Sequence, residues 1–361
     1  MPLKVAWISL ALMLFTYLGY PFFAWFLSRV WRRRTLRGSY FPRVSVVLPV
    51  YNEGGRLEEK ISNLMSERYP ADLVEILVVD DGSTDGAPRE LSLRGLPRVK
   101  VLFQDRRLGK AAAINRGLGV AGGDVVVFTD ARQTLTPDAL ALLAENFADG
   151  RVTAVTGRLS VAPGGADGFF RRYEERLRSW EGAWGSCAGA TGALYAVRRA
   201  ALEPIPPETI LDDLVIPVSA ARRGRLIYDA RALALEEPQD ARRTWHRRLR
   251  TLAGNWQILF HPLTYRRVFS ARTAPQLACH KASRLLFPLF AAAFAASAVA
   301  ASREWAGILL AAFLVTAALD AALFKSGRAG SVSHALASLV FAPVAALVRY
   351  CLGRETALWA K

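Results

Sequence analysis

Hydrophobic positions along the chain fall into two regimes. Val5–Val30 (VAWISLALMLFTYLGYPFFAWFLSRV) is almost wholly apolar and exceeds the ~20 residues that span a bilayer. Apolar density returns after Leu277: Leu285–Ala301 and Trp305–Phe324 have spanning length, and Ser333–Val348 is a weaker run broken by His334 and Pro343. Between them, from Arg43 to about Asp240, short apolar runs alternate with amphipathic stretches. Val44–Val50, Glu75–Val79, Val99–Gln104 and Asp124–Thr129 predict buried strands, and Arg56–Ser66, Lys110–Ala121 and Pro137–Asn146 predict helices. Strands alternating with helices predict an α/β domain with a mostly parallel sheet. Val152–Val161 predicts a further strand. Phe169–Ala183 predicts an amphipathic helix with a solvated face of Arg171, Arg172, Glu174, Glu175, Arg176 and Arg178. Asn255–Phe260 is expected in an amphipathic helix on a membrane surface.

The pattern divides the chain into an N-terminal transmembrane helix with a basic flank (1–38), an α/β domain (39–250), an interfacial helix region (251–276) and C-terminal transmembrane helices (277–361). Charge sharpens this division. The formal net charge is +16 although 52% of residues are hydrophobic, and the basic residues crowd the ends of apolar runs. That distribution fits a membrane lipid partner and argues against nucleic acid, whose binders carry their charge on a soluble face. Lys4 alone precedes the first run, while Arg29, Arg32, Arg33, Arg34 and Arg37 follow it, so the N-terminus is expected outside and the α/β domain in the cytoplasm, in an integral cell-membrane protein. The basic end is the wrong one for a cleaved signal peptide. Three scattered cysteines form no disulfide framework, and four histidines show no zinc spacing.

Three apolar runs end in acids. Val125–Thr129 runs into Asp130, Val44–Leu48 into Pro49-Val50-Tyr51-Asn52-Glu53, and Glu75–Val79 into Asp80-Asp81-Gly82-Ser83-Thr84-Asp85. Ligands of open α/β sheets bind at the carboxyl ends of the strands, so acids gathered there predict a polar site for a metal or a nucleotide. No P-loop is present, and no GxGxxG fingerprint follows the first strand.

VSVVLPVYNE (44–53), VVDDGSTD (78–85), GKAAAINRG (109–117), Thr129-Asp130-Ala131, GALYAVR (192–198) and Asp212-Asp213 occur in this order. Together they resemble inverting family 2 glycosyltransferases of GT-A fold, in particular the membrane-integrated, polysaccharide-synthase-like branch, over about Arg43 to Gln257. The resemblance implies a nucleotide-diphospho-sugar transferase domain with transmembrane helices, taking a nucleotide-sugar donor, a UDP-sugar, and a lipid-linked or growing glycan acceptor with Mg²⁺ or Mn²⁺. It implies that Pro49, Tyr51 and Glu53 line the nucleotide pocket, that Asp81 meets the uracil with Asp80 supporting the turn, and that Lys110 and Asn115 serve the donor. Asp130 matches the first acid of the DxD motif and would hold the metal; Arg132 stands where a second acid is common, and either pairs with phosphate or points away. Asp213 matches the catalytic base. HRRLRTLAGNWQ (246–257) partly matches QxxRW, with Arg250 in the arginine position on the donor side, Arg247 in place of Gln and Thr251 in place of Trp. For Arg242, Arg243, Arg247 and Arg248 the alternative is juxtamembrane charge facing anionic lipid. Two other functions stay open: transfer to a polyprenyl phosphate, and a non-catalytic membrane scaffold with a degenerate transferase domain.

Overall fold

The computed structural model describes residues 1–161, 167–237, 241–302, 304–305 and 332–358. Eight strands form one sheet: β1 (Val44–Val50), β2 (Val74–Asp80), β3 (Val99–Phe103), β4 (Val125–Thr129), β5 (Thr134–Leu135), β6 (Val152–Val161), β7 (Leu194–Arg198) and β8 (Arg225–Glu236), in the order β3-β2-β1-β4-β7-β6-β8-β5. The four strands β3-β2-β1-β4 are parallel, in register Val44 with Val74 and with Val125. The chain steps from β1 outward to β2 and β3 and returns to place β4 on the other side of β1. The order therefore reverses between β1 and β4, the switch point at whose carboxyl ends open α/β sheets bind their ligands.

The expectation of a mostly parallel sheet holds for that half alone. β7 runs antiparallel to both β4 and β6, β8 is parallel to β6, and β5 is antiparallel to β8, so the sheet is mixed. The direction of β7 is set by its connection. The chain leaves β6, traverses a long helix, and re-enters the sheet from the carboxyl end of β4.

Helices cover both faces, which is why β1, β2 and β4 read as unbroken apolar runs. On one face Val46, Leu48, Ile76 and Val78 pack with Leu57, Ile61 and Leu64 of α3 (Gly55–Met65) and with Leu140 and Leu143 of α6 (Ala139–Ala144); α4 (Ala87–Leu93) lies beside α3. On the other, Val47, Leu77, Val126 and Phe128 pack with Ala113 and Ile114 of α5 (Lys110–Leu118) and with α8 (Asp212–Ala220). At the amino edge the three central strands are stitched by side chains. Glu75 accepts from the Ser45 hydroxyl and the Gly122 amide, and Ser45 Oγ accepts from the Gly123 amide at 2.8 Å. A side chain at Gly123 would stand 2.6 Å from Ser45 N, so only glycine lets β4 begin there.

α1 (Pro2–Leu14) and α2 (Tyr20–Val30) join through a π-helical turn, Phe15–Gly19; α10 (Ala274–Leu277) joins α11 (Ser283–Ala301) through another, Ala278–Ala282. Pro2–Val30 and Ala274–Ala301 are each long and apolar enough to cross a membrane by length and composition. α1 packs along α11, and α2 along α7 (Asp167–Trp184). Of the expected span Trp305–Phe324, residues 306–324 lie outside the described residues. Ser333–Val348 falls within α12 (Val332–Cys351), which packs on α9 (Ala241–Phe260) and α11.

Two surface expectations are corrected. α9 runs unbroken across 250 and 251, and Asn255, Trp256, Gln257 and Ile258 are buried inside the protein, not laid on a membrane. Trp256 Nε1 donates to the Pro343 carbonyl at 3.0 Å. On α7, Glu174 is not solvated: it bonds Arg284 and lies 3.3 Å from His280, because that face of α7 meets the second apolar helix.

Candidate active site

The site forms where α5 and α8 begin beside the end of β4. Lys110 opens α5, and its Nζ lies 2.9 Å from Asp130 Oδ1 and 3.2 Å from Asp212 Oδ1. One ammonium thus joins the acid after β4 to the pair that opens α8. The turn presenting Lys110 is fixed by Asp81, whose carboxylate accepts from the amides of Leu108 (2.7 Å) and Gly109 (2.9 Å) and from Gln104 Nε2 (3.1 Å). Gly109 sits at φ +96°, a conformation that favours glycine. Asp81 has no exposed surface, so the structure makes it the anchor of this loop, which corrects the expectation that it reaches a base directly. Its place at the end of a buried strand is the reason: the adjoining turn wraps over it.

Asp212 and Asp213 are neighbours in sequence with different surroundings. Asp212 is buried and also receives the Tyr195 hydroxyl at 3.4 Å, while Tyr195 stacks on Phe128 with centroids 4.6 Å apart. Asp213 is the more open of the two. A side chain at Gly192 would stand 3.2 Å from its Oδ2, so glycine leaves room beside the carboxylate. Burial and the adjacent Asp212 push the Asp213 carboxyl up to about 6, with Lys110 opposing. Burial disfavours the charge on Lys110, but Asp130 and Asp212 outweigh it and hold the ammonium above its ordinary value.

The loops after β1 and β2 are tied together at the same edge. Asn52, at φ +52°, donates its amide to Ser83 Oγ and accepts from Thr84 N; Asp85 accepts from Gly54 N and Asp80 from Ser83 N. Tyr51 carries the Arg107 guanidinium 4.2 Å above its ring, so an aromatic face and a cation share this corner. Glu53 lies 3.7 Å from Arg132 and 3.9 Å from Arg56; burial raises its carboxyl and Arg132 opposes that. Arg132, at the position of a second DxD acid, thus points toward Glu53.

Two assignments move. Pro49 is buried in β1 in register with Val79, supporting Tyr51 without forming a pocket wall. Asn115 gives both ends of its amide to Ile205, donating to its carbonyl at 2.7 Å and accepting from its amide at 3.0 Å, so it holds the segment leading to Asp212 and is not free for a donor. Gln257 of α9 does the same for Ile210 and Glu208. Arg250 donates to the Leu358 carbonyl at 2.8 Å, and the Ala357 carbonyl lies 3.0 Å from where a Gly109 side chain would be, so residues 357–358 bridge α9 and the Lys110 turn. Arg247 grips Glu236 with two bonds of 3.0 and 2.7 Å, which removes it from the lipid-facing set.

Lys60, Tyr195 and Arg107 were not legible as site residues, whereas Gln257 follows Arg250 at family-like spacing. Lys60 had a signal: it falls on the apolar face of α3 among Leu57, Ile61 and Leu64. It is buried with Nζ 2.6 Å from the Gln133 carbonyl, and burial lowers it to about 7 against the pull of Asp130 and Glu67.

The sequence model of the family described as Glycosyl transferase family 2 matches residues 45–202. Glycosyltransferase AglE of Haloferax volcanii is 36% identical over 95 residues, 26% of this chain and 31% of that protein. Beta-monoglucosyldiacylglycerol synthase of Nostoc sp. is 28% identical over 244 residues, 62% of this chain and 51% of that protein. The chain thus spans 31% and 51% of the length of these two curated relatives. Among solved structures, the mannosyltransferase PcManGT from Pyrobaculum calidifontis, in complex with GDP-Man and Mn²⁺, aligns with a TM-score of 0.73 at 26% identity, over 97% of this chain and all of that one. The mixed sheet and the acids paired with Lys110 agree with these likenesses: over residues 45–202 the chain carries a domain of glycosyl transferase family 2, of GT-A-like α/β fold.

Proposed function

We propose that this chain transfers a sugar, with inversion, from a nucleotide diphosphate-sugar to an acceptor hydroxyl at a membrane surface. The observation that carries the reading is the pairing of both Asp130 and Asp212 with Lys110, next to Asp213, the raised and more open carboxylate. Asp213 takes the proton of the acceptor hydroxyl as its oxygen bonds the anomeric carbon, and the bond from that carbon to the diphosphate oxygen breaks to release the nucleoside diphosphate. Lys110 faces the charge that builds on the leaving group, Asp212 keeps Lys110 in place, and the Asp81 turn orients both. Tyr51 offers its ring to the base.

Among the described residues no group of three Asp, Glu, His or Cys side chains is gathered to hold a metal. Mg²⁺ in phosphoryl sites is commonly held by one or two carboxylates together with substrate phosphates, so Asp130 with a donor diphosphate fits such an ion. When bound, Mg²⁺ or Mn²⁺ neutralises charge on the leaving diphosphate. A UDP-sugar is the donor suggested by the family resemblance, while GDP-Man is the ligand of the Pyrobaculum structure. A lipid-linked acceptor is supported by the likeness to a diacylglycerol glycoside synthase and by the two apolar helices.

The test is a panel of UDP-glucose, UDP-galactose, UDP-N-acetylglucosamine and GDP-mannose with the full chain in lipid nanodiscs, with Mn²⁺ or with chelator. One donor is expected to release nucleotide and label a lipid fraction only when metal is present; no release from any donor defeats the reading, and activity undiminished by chelator defeats the metal. The active donor should also show a pH profile set by Asp213. The base must be unprotonated, so turnover should climb about tenfold per pH unit toward about 6 and level off above it. A flat profile from pH 4.5 to 8 removes Asp213 from that role.

A further inference from the structure

A buried polar seam joins the catalytic domain to both apolar helices, and one of its members reaches the loop around Asp213. Glu181 of α7 is fully buried. Its Oε1 lies 2.6 Å from the Tyr20 hydroxyl on α2 and 2.8 Å from His280 Nδ1 in the second apolar helix. Its Oε2 accepts the Ala188 amide at 3.0 Å. From Ala188 the chain runs directly to the site: the Ala190 amide donates to the Asp213 carbonyl at 2.9 Å, the Thr191 amide donates to Thr156 Oγ1 at 3.0 Å, and Gly192 borders Asp213 Oδ2. Two turns earlier on α7, Glu174 bonds Arg284 and lies 3.3 Å from His280 Nε2, so the seam continues along the helix.

We propose that Glu181 is a positioning residue for the transfer reaction, through which Tyr20 and His280 of the apolar helices hold the 188–192 loop against Asp213. The proposal rests on Asp213 as the base. A carboxylate in this place costs desolvation that an apolar side chain would avoid, and buried polar groups that are fully bonded specify one arrangement of the elements around them. Burial would raise the Glu181 carboxyl, but His280 and the Tyr20 and Ala188 bonds outweigh it and hold it below its ordinary value, so it acts as an acceptor for all three partners. The apolar helices are then part of the catalytic arrangement as well as an anchor.

Glu181→Leu, Glu181→Gln and Tyr20→Phe test this in the full chain in nanodiscs, with whichever of UDP-glucose or GDP-mannose is turned over, and with UDP and GDP binding measured separately. Glu181→Leu is expected to lower kcat at least about tenfold through displacement of the base loop. Donor KM and nucleoside diphosphate affinity should stay within about twofold, since those contacts lie elsewhere. Glu181→Gln should restore most of kcat, because its amide oxygen still accepts from Ala188 and its NH₂ can face the Tyr20 oxygen and His280 Nδ1, with the imidazole proton on Nε2 toward Glu174. Tyr20→Phe, which removes one hydroxyl, should lower kcat alone and decides the matter if the leucine variant does not fold. Unchanged kcat in Glu181→Leu or in Tyr20→Phe overturns the positioning role, as does a parallel loss of donor affinity or a failure of glutamine to rescue. A wild-type chain inert toward every donor removes the transferase reading and this proposal with it, whereas an active wild type with an unaltered variant sinks the positioning role alone.

Discussion

Asp213→Asn is expected to lower glycosyl transfer by about 10²–10⁴, the usual weight of a general base, while leaving donor affinity nearly unchanged. The substitution keeps the shape of the side chain and its place in the first turn of α8. What it removes is the ability to accept the hydroxyl proton. The residues proposed to meet the donor lie on other elements: Tyr51 follows β1, Asp130 follows β4, and Lys110 opens α5. Steady-state transfer and nucleotide binding, measured together, separate the two roles. If transfer stays within a few-fold of wild type, or affinity falls in proportion to rate, Asp213 is not the base. Asp212→Asn is the control and should be milder in chemistry, because Asp212 is engaged with Lys110 and Tyr195.

Lys110→Met should be damaging to both stability and activity. The side chains of Lys110, Asp130 and Asp212 are 17%, 28% and 8% exposed, so removing the ammonium leaves two poorly solvated carboxylates without their shared partner. Breaking a buried pair from one side costs about 3–5 kcal/mol, and partial exposure of Asp130 places this case toward the lower end. Lys110 also pulls the Asp213 carboxyl down, so its loss raises that group further. The sign follows: a base with a higher pKa needs a higher pH to be unprotonated, and the rising limb of the transfer profile should move to alkaline pH. Denaturant unfolding and the pH profile check the two halves. Wild-type stability with an unmoved limb would show that Lys110 neither holds the acids nor sets their protonation.

The parallel half of the sheet was legible because β1, β2 and β4 are buried on both faces, which writes each as a continuous apolar run ending in polar residues. The antiparallel β7 was visible only as the motif GALYAVR, since strand direction depends on how the chain returns from α7, and no local pattern encodes that return. Asp130, Lys110, Asp212 and Asp213 could be named from their motifs, but the pairing of Asp130 and Asp212 with the one Lys110 ammonium is a tertiary fact. Pro49 and Asn115 belong to the same motifs and serve the scaffold: motif membership does not tell a side chain that faces a ligand from one that supports its neighbour. Glu174, Glu181 and His280 were hidden for another reason. Helical periodicity separates polar from apolar faces, and it is silent when two polar faces are buried against each other.

The stitching of Ser45, Glu75, Gly122 and Gly123 at the amino edge of the central strands makes the sheet mechanically unequal along its length. Side-chain bonds there clamp β1, β2 and the entry to β4, and the close backbone approach at Gly123 leaves no slack. At the opposite edge the loops after β1 and β2 are tied by largely exposed bonds of Asn52, Ser83 and Asp85, and the buried grip of Asp81 is confined to the Lys110 turn. Local opening is cheapest where few buried bonds must break together, so breathing of the domain is directed toward its carboxyl edge. The sheet then behaves like a hinge pinned at one end: the loops at its carboxyl edge can move while the strand register behind them stays locked.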